Sequence, residues 1–251
     1  MQNLRDLFDK ALHLVQETGE ILKKPLDNKG AEVKDDNSFV TKYDLMVDEK
    51  LSRELKELTD CSVYSEEHVE KEKDKYFIID PIDGTHNFNA GWESFAIALA
   101  YVENGEALFS IIHFPLLNKT FTAIKNEGAY LNGERIFVRT KRPQRLIGTC
   151  EVTEDGLPII NKILSNEEKI DLRSIYCSAQ EMCYVANGIF DFCIYGRMKG
   201  LWDLVPPQLI IEEAGGIVKA KKNEDNTYRI IAGSPEAAEK MEEIIGGDEK
   251  F

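Results

Sequence analysis

The sequence predicts a mixed α/β fold built in two textures, and three observations carry that prediction. Residues 3–24 and 43–58 repeat apolar side chains at helical spacing. Residues 94–136 break into short apolar runs with Asn-Gly pairs at 104–105 and 132–133, the pattern of an antiparallel meander. From about residue 146 short strand-like runs alternate with helical stretches.

In chain order, Leu4, Leu7, Phe8, Ala11, Leu12, Val15, Ile21 and Leu22 form one helical stripe, which Pro25 ends. The polar stretch 31–44 reads as loop or hairpin. Leu45, Val47, Leu51, Leu55 and Leu58 predict a second helix, for which Asp44 is a candidate cap. CSVYSEE is extended, and the charged run 69–75 is a solvated turn. YFIID, residues 76–80, predicts a buried strand that stops at its aspartate. Beyond the meander, LIGTCEV, LRSIYC, FDFCIYG, IVKAKK and YRIIAGS predict strands. LPIINKILSN, SAQEMCYVANG and LWDLVPPQLIIEEAGG predict helices. A last helix starts at Ser234 as N-cap with Pro235 in its first turn. The textures divide the chain into 1–145, helices plus antiparallel sheet carrying most candidate ligands, and 146–251, an α/β half that completes the site.

Bulk composition narrows the function. A chain of 251 residues, 43% hydrophobic and 30% charged, has the make-up of a globular protein. It lacks the run of about 18 apolar residues that a membrane span needs. Charges throughout the first 24 residues argue against a secretory signal. The net charge of −14 repels nucleic acid and anionic lipid, so neither is an expected partner. A phosphate substrate would be repelled too, unless divalent cations neutralise the field locally. Five cysteines without a CxxC spacing read as reduced, buried thiols of a cytoplasmic protein.

The segment Asp80-Pro81-Ile82-Asp83-Gly84-Thr85 carries the chemistry. Two carboxylates at the tip of one strand repel each other unless a cation lies between them. Magnesium takes oxygen ligands and commonly bridges carboxylates to a substrate phosphate. The Ile82 carbonyl is a further candidate ligand, and Gly84 and Thr85 can present N–H groups and a hydroxyl to phosphate. The same residues also read as an ordinary acidic turn. Glu66-Glu67 reads equally as a solvated loop, and Asp203 equally as a helix cap.

Taken together, these elements resemble the inositol monophosphatase family of lithium-sensitive, magnesium-dependent phosphatases. The resemblance rests on Asp80 to Thr85, continued by Asn87-Phe88, and on Trp202-Asp203 followed by an apolar helix and Glu213-Ala214-Gly215-Gly216. Glu66-Glu67, Val40 to Asp44 and the stretch GAYLNGERI extend it over about residues 5–245. It implies a five-layer αβαβα sandwich, a homodimer, and hydrolysis of a phosphate monoester on a small metabolite with two or three Mg2+ ions. Glu66, Asp80 and the Ile82 carbonyl would hold one ion, and Asp80, Asp83 and Asp203 a second; a third would involve Glu66. Thr85 and Asp44 would handle the proton of the attacking water, with Glu67 in support, and Gly84 and Thr85 would bind phosphate.

Several positions depart from the family pattern. His86 stands where threonine is usual, and Ser38 where many members have aspartate, although Asp35 and Asp36 are near. Gly196, seven residues before Asp203, replaces the glutamate that binds inositol hydroxyls, and Tyr176-Cys177-Ser178 replaces Gly-Ser/Thr before Ala179. Arg197 and Lys199 could favour a second phosphate, so a sugar or nucleotide bisphosphate is the alternative substrate, unless both face solvent or a partner. A non-catalytic binder on the same fold is the alternative of another class.

Overall fold

The computed structural model describes residues 3–23, 32–33, 39–68, 74–140 and 145–246. The expectations for Pro25, Asp35, Asp36, Ser38 and most of the charged run after His68 lie outside those residues.

Helix α1 (Leu4–Leu22) is followed by the short pair β1 (Glu32–Val33) and β2 (Phe39–Val40), then by α2 (Lys42–Leu58). Next come β3 (Ser62–Ser65), β4 (Lys75–Asp83), α3 (Thr85–Ala90), β5 (Ala96–Glu103), β6 (Glu106–Phe114), β7 (Lys119–Ile124), β8 (Gly128–Leu131) and β9 (Glu134–Ile136). The second half runs β10 (Leu146–Cys150), α4 (Leu157–Leu164), β11 (Ile170–Arg173), α5 (Ser178–Ala186), β12 (Phe192–Met198), α6 (Leu201–Glu213), β13 (Ile217–Lys222), β14 (Tyr228–Gly233) and α7 (Pro235–Ile245).

Strands β3 to β9 form a seven-stranded sheet in sequence order, antiparallel except for the parallel pair β3–β4. Both Asn-Gly pairs turn hairpins with positive φ at each residue, as a tight turn of matching twist requires. The second sheet is mixed, in the order β11-β10-β12-β14-β13, with β10 parallel to its two neighbours.

Side-chain alternation turns these sheets into layers. Phe77 and Ile79 of β4 and Phe109 and Ile111 of β6 face α1 and α2, where they meet Phe8, Val15, Leu51 and Leu55. On the opposite face Ala98, Ile112 and Phe121 pack against Met182 and Cys183 of α5 and Ile210 of α6, which also cover Cys193 and Ile230 of the second sheet. Phe192, Ile194 and Ile231 then turn outward onto Ile163 of α4 and Ala238 and Met241 of α7. The layers run α1α2, seven strands, α5α6, five strands, α4α7: a five-layer αβαβα sandwich. Among the described residues no helix is long and apolar enough to cross a membrane. All five cysteines are free thiols, four of them buried.

Three local expectations need correction. Strand β4 does not stop at Asp80 but continues to Asp83, with a register shift between the two against β5. Pro81 is tolerated because it sits in that irregularity, where the ladder has no need of its missing N–H. The strand predicted over LRSIYC lies earlier, at Ile170–Arg173, and Tyr176 takes a left-handed conformation with φ of 59°. Thr41 is the N-cap of α2; Asp44 is its N3 partner, so the two side chains close a capping box.

Candidate metal centre

Strand alternation and one bulge aim the carboxylates. Ile78 faces Trp202 and Val205 of α6, and Asp80, two residues on, shares that face. Asp83 is an odd number of residues away and would point to the other face of a regular strand. The register shift removes that constraint. Asp203 arrives from the first turn of α6, where its Oδ2 accepts the Gly200 N–H at 3.1 Å. One carboxylate oxygen from each of Asp80, Asp83 and Asp203 lies within 4.8 Å of the other two.

Each carboxylate is held from behind. Asp80 Oδ1 accepts the Ile82 N–H at 3.0 Å. Asp83 Oδ2 accepts the Ala179 N–H at 2.6 Å and the Cys177 thiol at 3.0 Å, and its Oδ1 accepts the N–H and hydroxyl of Ser178 at 3.3 Å. The start of α5 thus clamps Asp83. Burial first, and then the charges of Glu66, Asp83 and Asp203, push the Asp80 carboxyl well above the usual carboxylate range. Burial also raises Asp203, with Asp83 and Glu66 adding to it, while Asp83 is raised by burial and eased by its donors. Three such groups fit a divalent cation: the donors are all oxygen, they converge, and their repulsion is relieved by positive charge. Glu66 lies just past β3, outside the converging trio, yet it exerts the largest charge effect on Asp80.

Gly84 closes the turn in a left-handed conformation (φ 85°), and a Cβ there would come within 2.9 Å of the Ser94 carbonyl oxygen. Helix α3 starts directly after it, an element absent from the sequence expectations. Thr85 Oγ1 donates to the Ile82 carbonyl at 2.9 Å and lies 3.3 Å from Asp44 Oδ1. Asp44 Oδ2 accepts the Thr41 N–H at 2.7 Å and the Thr41 hydroxyl at 2.5 Å, and burial raises its carboxyl despite those bonds. Asn87 ties α3 across the site, its Nδ2 donating to Ser94 O at 2.8 Å and Ile175 O at 2.7 Å. His86 is exposed on α3.

Asp83 and Asp203 open onto a cavity of about 230 Å3. Two acidic residues of its wall escape the sequence reading. Glu151 lies just past β10, and Glu181 of α5 is buried, its oxygens accepting the Ile175 N–H at 2.6 Å and the Tyr195 hydroxyl at 2.5 Å. The signal for Glu151 was present: a carboxylate directly after an apolar run, the feature that drew attention to Asp80. Arg197 also borders this cavity, but its guanidinium pairs with Asp155, at 3.2 Å, and with Asp225. Lys199 is exposed on the same wall, and its charge offsets a small part of the rise of the Asp203 carboxyl.

The sequence profile of the inositol monophosphatase family matches residues 3–246. A Thermotoga maritima protein named fructose-1,6-bisphosphatase/inositol-1-monophosphatase is 33% identical over 222 residues, covering 85% of this chain and 84% of its own. The Nus factor SuhB of Salmonella typhimurium is 30% identical over 253 residues, covering 92% of each chain. A solved IMPase of Thermotoga maritima superposes with a TM-score of 0.83 at 29% identity, over 96% of this chain and 98% of that one.

Proposed function

The chain belongs to the inositol monophosphatase family, and we propose that it hydrolyses a phosphate monoester of a small metabolite with magnesium as cofactor. The observation that supports this reading most is the convergence of Asp80, Asp83 and Asp203 within 4.8 Å, from two elements far apart in sequence. Glu66, Asp80 and the Ile82 carbonyl would hold one cation, and Asp80, Asp83 and Asp203 another. When bound, such cations neutralise the phosphate charge and acidify a water molecule.

The chain's own groups supply the rest. Thr85 Oγ1 sits 3.3 Å from Asp44 Oδ1, so it can pass its proton to Asp44 while its oxygen accepts a hydrogen from the attacking water. The Thr41 bonds fix Asp44 for that task. Raised by burial, Asp44 is a stronger base than an exposed aspartate. The N–H groups of Gly84 and Thr85 bind phosphate oxygens, and the clamp from α5 keeps Asp83 aligned. No covalent link to the protein is needed; catalysis rests on positioning and charge.

The test is phosphate release from a panel of sugar, inositol, nucleotide and amino-alcohol phosphates, with magnesium, with EDTA and with lithium. Magnesium-dependent release that lithium inhibits is the expected result. Silence across the panel would favour a second reading, a binding role on the same fold, for which the likeness to the Nus factor SuhB speaks.

A further inference from the structure

The cavity beside the carboxylate trio has four acidic groups on its wall, and their hydrogen bonds separate them. Asp83 and Asp203 belong to the trio. Glu181 has both oxygens occupied, by the Ile175 N–H and the Tyr195 hydroxyl. Glu151 differs. Its Oε1 accepts the backbone N–H of Gly196 at 2.6 Å and of Arg197 at 3.1 Å, while its Oε2 takes no hydrogen bond from any described residue. Two N–H groups on one oxygen fix the carboxylate and leave the other oxygen to the cavity.

The seat depends on position 196 being glycine. A Cβ there would come within 3.0 Å of Glu151 Oε1 and 3.3 Å of the Asp155 carbonyl oxygen. Glu151 also stands outside the group of carboxylates that converge on one point. The cavity, about 230 Å3, is smaller than the roughly 300–1,000 Å3 of sites for drug-sized ligands, which suits a small alcohol. Of the two cations on this wall, Arg197 is engaged by Asp155 and Asp225.

We propose that Glu151 is the specificity-determining residue of this cavity. Its Oε2 accepts a hydrogen bond from a hydroxyl of the alcohol half of the phosphate monoester, selecting polyol monophosphates over hydroxyl-free alcohols and over substrates with a second phosphate. The inference rests on the phosphatase reading above. A half-buried carboxylate such as Glu151 gains a charge-assisted bond when it meets a hydroxyl, whereas a phosphate or an apolar group leaves it unmatched.

The experiment compares kcat/KM for inositol 1-phosphate, p-nitrophenyl phosphate and fructose 1,6-bisphosphate, with saturating magnesium, in the wild type, Glu151→Gln and Gly196→Ala. Glutamine keeps an acceptor for the two N–H groups and replaces the free acceptor with a donor. The added methyl at 196 displaces the carboxylate without altering its chemistry. Both variants should lower the inositol-to-nitrophenyl ratio about 10- to 100-fold, mainly through KM, with thermal melts close to wild type. An unchanged ratio in a folded Glu151→Gln variant overturns the proposal. So does a wild-type preference for the bisphosphate that the variant leaves unaltered. A rise in the magnesium requirement that accounts for the loss would make Glu151 a cation ligand and overturn it too. No magnesium-dependent release by the wild type from any of the three overturns the phosphatase reading itself, an outcome distinct from these.

Discussion

Replacing Asp203 with asparagine separates the role of the carboxylate trio in folding from its role in binding. The three oxygens lie within 4.8 Å of one another. At an effective dielectric near 20, two unit charges that far apart repel by about 3.5 kcal/mol. The cation-free protein avoids the full sum by retaining a proton, which the raised carboxyls of Asp80 and Asp203 express. Holding a proton at neutral pH on a group with an ordinary value of 3.8 costs at most about 4–5 kcal/mol. Asparagine removes that cost and keeps an oxygen for the Gly200 N–H, so the fold changes little. In EDTA, Asp203→Asn should therefore be the more stable protein, by about 2–3 kcal/mol, or roughly 5–10 °C in melting temperature for a chain of this size. In excess magnesium that gap should close. The wild type gains about 2.7 kcal/mol at a hundredfold excess over the dissociation constant, and the variant gains little. Differential scanning calorimetry of both proteins in both buffers reads all four values. A variant that melts below wild type in EDTA and gains as much from magnesium would refute the electrostatic account of this site.

Thr85→Val should cut kcat by about 100-fold or more with little change in melting temperature, since it removes the hydroxyl beside Asp44; steady-state kinetics and a thermal melt check both halves. Asn87→Leu should destabilise by about 2–4 kcal/mol in urea titration, because it strands the Ser94 and Ile175 carbonyls and unties α3 from the segment before α5. His113 is buried with Nδ1 2.9 Å from Thr120 Oγ1, and burial lowers its pKa to about 4 from an ordinary 6.5. A depressed histidine stabilises the fold above 6.5 and loses that contribution as pH falls toward 4, by up to about 3 kcal/mol. The raised carboxyls of the trio act in the opposite sense, growing more favourable as they take up protons, so the difference between wild type and His113→Gln in urea midpoints from pH 7 to 4 isolates the histidine.

What the sequence by itself determined was local and periodic. Apolar spacing set α1 and α2, Asn-Gly pairs set the meander, and the Ser234-Pro235 pair set the start of α7, because each is decided by neighbours a few residues apart. The Asp80–Thr85 and Trp202–Asp203 segments were legible too, as their residue types are unusual together. Only the tertiary structure decided how the two segments meet. The bulge that turns Asp80 and Asp83 toward the same helix is a property of pairing with β5, and no spacing in the chain announces it. The same holds for Glu151, a single acidic residue in the sequence, which gains meaning only when Gly196 and Arg197, brought alongside by the β10–β12 pairing, fix one of its oxygens. Local order follows from short-range sterics and hydrophobic period; a site that gathers charge from distant strands and helices follows from sheet register, which long-range packing sets.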